Sequence, residues 1–88
     1  MNAEKTRRRI MDALYLIDSA SNPLRVQCST TYASGYINAL QDEQIISADG
    51  AQYYREEVVE RRKRRLAFFG VDLDADSTQS PTPGTGSA

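Results

Sequence analysis

The chain has 88 residues, 11 of them Lys or Arg, 12 Asp or Glu and none His, for a formal net charge of −1. That length allows one small domain with a small core. The lack of histidine removes the residue type most used for metal binding and general-base catalysis.

The first element is a helix from about Ala3 to Ala20. Ile10, Ala13, Leu14 and Ile17 fall at i, i+3, i+4 and i+7, one face of a helix, and Met11, Tyr15 and Leu16 widen the apolar surface. Arg7, Arg8 and Arg9 sit near the helix start, where positive charge opposes the helix dipole and Glu4 compensates in part. Pro23 disfavours a helical conformation at Asn22 and is expected to end the helix. Leu24 to Cys28 alternates apolar and polar residues and reads as a connector or a short strand.

The second helix is expected to begin at the Ser29-Thr30-Thr31 cluster, whose hydroxyls suit a first turn. Ala33, Tyr36, Ile37 and Leu40 then repeat at helical spacing. Gly35 and Ala39 lie four apart on another face, where small residues allow a second backbone to approach closely.

Two readings fit residues 45–54. In one, residues 47–50 form a loop, Asp49 caps a third helix with Gln52 as capping-box partner, and Ala51, Tyr54, Val58, Leu66 and Phe69 line its inner face. Arg61, Arg62 and Arg65 weaken the middle of that stripe, and Gly70 is a natural stop. In the other, Asp49-Gly50 is the turn of a short β-hairpin. The continuous helix fits better, because alternation is poor in both candidate strands. The fold class is therefore mainly α: a small three-helix domain over residues 1–73.

From Asp74 to Ala88 the chain reads DADSTQSPTPGTGSA, with no large apolar residue, and is expected to be a disordered tail. Without it the body is slightly basic, since Asp74 and Asp76 belong to the tail. Leu, Ile, Val and Phe number 17 in the whole chain, all within the first 73 residues, so the body is richer in core formers than the raw composition implies.

Motifs for catalysis are missing. There is no glycine-rich phosphate loop and no paired Cys or His. The adjacent carboxylates Asp42-Glu43 and Glu56-Glu57 point to different sides of a helix. The lone Cys28 has no histidine to make its thiolate and reads as a half-buried apolar residue. No cofactor and no catalytic or metal-ligating residue is expected. The single cysteine and the lack of a secretory or membrane-spanning pattern point to a cytoplasmic protein with no membrane contact.

The most unusual feature is the run Arg61, Arg62, Lys63, Arg64 and Arg65. Five consecutive residues cover more than a helical turn, so the charge forms a collar whose stems must partly cover apolar surface. It reads as a solvated helix end partly neutralised by i,i+4 pairs such as Glu57–Arg61 and Glu60–Arg64, as a phosphate-contacting surface together with Arg7, Arg8 and Arg9, or as a contact for an acidic protein partner. The five tyrosines and the pairs Tyr53-Tyr54 and Phe68-Phe69 are candidates for apolar contact. Neighbours on one helix cannot both face inward, so one of each pair is expected at the surface, and an exposed Tyr and Phe would make an apolar patch.

The segment INALQDEQIIS, Ile37 to Ser47, resembles two known patterns. One is a short helix-loop-helix oligomerisation module with an isoleucine-serine bend. The other is the end of the recognition helix of winged-helix DNA-binding proteins, which implies a wing with Asp49-Gly50 at its tip and Tyr53-Tyr54 on the returning strand. Both usually carry glycine where this chain has Gln44, and no residue role is carried over from either.

The expectation is a non-enzymatic protein-binding or regulatory module, of a kind common in phages and plasmids, that acts by helix-mediated contact with a protein partner and forms a homo-oligomer. The alternative is a winged-helix-like nucleic-acid-binding regulator that uses the arginine clusters.

Overall fold

The computed structural model describes residues 3–71. These form three helices: α1 (Ala3–Asp18), α2 (Pro23–Asp42) and α3 (Ala48–Phe68). The expected tail from residue 74 onward lies outside the described residues. Links of four and five residues make successive helices antiparallel. α1 and α3 therefore run in the same direction, and each helix packs on the other two.

The core follows the helical repeat. Ile10, Ala13, Leu14 and Ile17 from α1 are buried, as their spacing predicts. They meet Val26, Ala33, Ile37 and Leu40 from α2 and Ala51, Val58 and Leu66 from α3. Tyr36, Tyr54 and Phe69 pack partly buried against this cluster. The inner stripe of α3 is thus the expected one.

α2 begins six residues earlier, at Pro23, than the Ser-Thr-Thr cluster suggests. Asn22 is extended, at φ −163° and ψ 168°, as a residue before proline prefers. Its side-chain Oδ1 accepts from the Arg25 amide at 2.8 Å. Asn22 is therefore the N-cap, and Pro23 occupies the first turn, where a missing N–H costs nothing. Residues 24–28, expected as a connector or strand, are the first turns of α2. Cys28 is exposed instead of half-buried, because the buried stripe of α2 passes through Val26 and Ala33 on the other side.

The β-hairpin alternative at residues 45–54 does not form, and with it goes the winged-helix wing. Asp49, Gly50, Tyr53 and Tyr54 are all helical. The cap of α3 is Ser47, not Asp49. Ser47 Oγ accepts from the Gly50 amide at 3.0 Å. Asp49 lies inside the first turn, where its charge favours the positive end of the dipole. Gln52 donates to Glu56 at 3.0 Å and closes no capping box.

α2 and α3 both end in the same backbone motif. At the end of α3 the Gly70 amide bonds to Ala67 O and the Val71 amide to Leu66 O, each at 2.9 Å. Gly70 supplies the left-handed residue this needs, at φ +83°. At the end of α2 the Gln44 amide bonds to Gln41 O at 2.9 Å and the Ile45 amide to Leu40 O at 2.8 Å. There the left-handed position, φ +60°, is held by Gln44.

Candidate interaction surfaces

The basic run lies on the C-terminal half of α3, and the helical repeat divides it. Counting from Val58, residues 61, 62 and 65 fall at i+3, i+4 and i+7 and so face the other helices. Arg61 donates to Asp18 at the end of α1, and to Glu57 at 3.1 Å. Arg62 donates to Gln27 of α2 at 2.8 Å. Arg65 donates to the Ala20 carbonyl at 3.0 Å, just beyond α1. Its guanidinium lies 4.3 Å from the Phe68 ring centroid and 5.0 Å from that of Phe69.

α1 has no basic residue in its last turn. Its negative end is met instead by Arg61 and Arg65 from α3, which place two cations where unpaired carbonyls gather. Three of the five residues of the run thereby tie α3 to the corner between α1 and α2. Lys63 and Arg64 remain exposed. Asp18, Arg61, Arg64, Arg65 and Phe68 line a cleft of about 380 Å³ at this corner. The expected pair Glu57–Arg61 is present.

Arg7, Arg8 and Arg9 are all exposed on α1. About 10 residues, or roughly 15 Å of helix rise, separate them from the Asp18 end where the α3 arginines gather. The fold does not merge the two clusters into one basic surface.

Among the aromatic pairs, Tyr53 is 59% exposed and Phe68 69% exposed, while Tyr54 and Phe69 turn to the core. Each pair meets edge to face, with centroids 5.2 and 5.1 Å apart. Tyr53 and Phe68 are 15 residues apart on α3, about 22 Å of rise. They do not join into the single patch expected from the sequence.

A surface the sequence reading did not single out is the outer face of α2. Between Arg25 and Asp42 the helix carries no charged residue. Its exposed positions there include Cys28, Thr31, Tyr32, Gly35 and Ala39. A solvent-facing side normally carries charge. Tyr32 is 56% exposed and stacks on Tyr36, with centroids 6.3 Å apart. The two rings, with Arg9, Asp12, Ala13 and Leu16, line a groove of about 370 Å³ between α1 and α2. A Cβ at Gly35 would meet nothing within 4 Å. The close approach expected at Gly35 and Ala39 is therefore not made within the chain. The missing charge between residues 26 and 41 was the signal for this face.

Among the described residues no group of three His, Cys, Asp or Glu is placed to hold a metal ion, and no helix is long and apolar enough to cross a membrane. In comparisons with known proteins, no family model, no curated protein and no solved structure matches the chain.

Proposed function

We propose that the chain is a small non-enzymatic protein-binding module that acts through an exposed helix face. The observation that carries this reading is the uncharged outer side of α2, bordered by the tyrosine-lined groove against α1. Leaving tyrosine and small residues in water gains nothing for the isolated domain, whereas tyrosine suits a contact surface because it offers a large area with a polar tip. The basic run supports the same reading from the other side. Arg61, Arg62 and Arg65 serve contacts within the chain, which leaves little of the run for a phosphate backbone.

The test is capture on immobilised full-length chain from the cells that produce it, with and without nuclease, beside a Tyr32→Glu variant. Retention of protein that survives nuclease and is lost in the variant is the expected result. Retention abolished by nuclease and untouched by the variant overturns the reading.

One observation favours a second reading. The side chains of Arg7, Arg8, Arg9 and Arg64 form no ion pair or hydrogen bond among the described residues, so they are open to phosphates. Nucleic-acid binding through them would weaken steeply with salt, and a charge reversal at Arg8 would reduce it for every sequence alike. No shift of duplex or single-stranded DNA or RNA at about 50 mM salt removes this reading.

A further inference from the structure

Six positions on the outer side of α2 are Arg25, Cys28, Tyr32, Gly35, Ala39 and Asp42, and all six are exposed. Their spacing alternates three and four residues, the spacing of a seam that packs along a second helix. The two charges at its ends are both misplaced for α2 itself. Arg25 is in the first turn, at the positive end of the dipole, and Asp42 in the last, at the negative end. Neither side chain makes an ion pair among the described residues.

The same six positions are complementary to their own reverse. Turned end for end about a point midway between Tyr32 and Gly35, the stripe sets Arg25 against Asp42, Cys28 against Ala39 and Tyr32 against Gly35. Opposite charges meet, and the one bulky ring meets the one residue with no side chain. A parallel arrangement in register would instead set Arg25 against Arg25 and Asp42 against Asp42, placing like charges together.

We propose that two copies of this chain dock antiparallel, α2 against α2, with Arg25 of each copy paired to Asp42 of the other and Tyr32 of each lying over Gly35 of the other. Docking around a two-fold axis uses the same patch on both copies and closes the assembly at two. It removes the tyrosine and the small residues from water and supplies both misplaced charges with partners. The inference rests on the protein-binding reading and names its partner and surface.

Cysteine cross-linking tests the register directly, because Cys28 is the only cysteine. In Ala39→Cys the two cysteines of one chain lie 11 residues apart on α2, about 16 Å along the axis, too far for an internal disulfide. Oxidation is expected to give a covalent dimer whose peptide map shows residue 28 of one chain joined to residue 39 of the other. Wild-type chain, with Cys28 of the two copies also about 16 Å apart along the axis, is expected to cross-link at least tenfold more slowly.

Sedimentation equilibrium of the full chain, followed beside circular dichroism, tests the charges. Asp42→Arg sets two arginines together at each end and is expected to weaken the dimer at least tenfold with helix content unchanged. The double reversal Arg25→Asp with Asp42→Arg restores the pairing and the dimer. Gly35→Glu is a second dimer-breaking variant, because the space at Gly35 within the chain is open and the fold tolerates a side chain there.

A wild-type chain that remains monomeric at 100-fold the concentration needed for assay overturns the proposal, as does a dimer that cross-links fastest through Cys28 to Cys28. If the chain is monomeric while Tyr32→Glu still abolishes nuclease-resistant capture of another protein, the dimer fails and the protein-binding reading stands. If it is monomeric and capture depends on nucleic acid, both fail.

Discussion

Gln44 is the residue most at odds with its own backbone. It sits at φ +60°, a region that costs a residue with a Cβ roughly 1–2 kcal/mol. It stays there because the chain end of α2 is tied by the Gln44 and Ile45 amides, and because Ile46 packs against the core. Gln44→Gly removes the strain at the cost of a more flexible unfolded chain. The expected net gain is about 0.5–1 kcal/mol, seen as a melting temperature several degrees higher. A fall would mean that the Gln44 side chain makes a stabilising contact of its own. The corresponding stop at Gly70 was legible from its glycine. Gln44 was not, since nothing in glutamine marks a left-handed residue. The only clue was that two resembling patterns carry glycine at that place. Cys28 is less legible for a different reason: burial of a small residue depends on which side of the helix it falls, and that side is defined only by a helix that starts at Pro23.

Among the elements, the start of α2 rests on a proline that both ends one helix and opens the next. Pro23 does hold Asn22 extended, and α1 does end before it. But an extended residue followed by proline is also the preferred opening of a new helix, given a side chain that accepts the free amides. Asn22 provides one, through the 2.8 Å bond from the Arg25 amide. Asn22→Ala is expected to cost about 1 kcal/mol, measured by urea denaturation. It should also speed hydrogen exchange of the first-turn amides of α2 more than those of α3. Uniform acceleration across all three helices would mean that the cap acts on global stability alone. The short alternation of Leu24 to Cys28 carried too few residues to separate a strand from a helix. The helical pattern becomes plain only when Val26 is joined to Ala33, Ile37 and Leu40. By contrast, α1 was legible because Ile10, Ala13, Leu14 and Ile17 complete one face at i, i+3, i+4 and i+7, and the inner stripe of α3 because Ala51, Tyr54, Val58, Leu66 and Phe69 keep to one face from end to end.

In the whole molecule, apolar packing alone does not hold the C-terminal half of α3 to the other two helices. α3 is the longest helix, and below Val58 its buried apolar positions thin out until Leu66. The stems and heads of Arg61, Arg62 and Arg65 bridge that gap. The sequence showed five basic residues but not their division, because composition counts charge and only the register from Val58 says which way each points. Arg65 has the most specific role. It donates to a carbonyl at Ala20, a residue 6% exposed, and lies over two phenylalanine rings. Arg65→Ala leaves that carbonyl without its donor and strips the rings of a cation. It is expected to destabilise the domain by about 1–2 kcal/mol. Arg65→Lys should recover only part of this, since an ammonium lacks the flat group that stacks on both rings while donating sideways. The neighbouring Arg64→Ala, at an exposed residue, is expected to change stability by less than about 0.5 kcal/mol. Equal losses at 64 and 65 would mean that the run acts through its total charge. Unequal losses would mean that it acts as individual contacts, and only then is the exposed Arg64 left to answer to something outside the domain.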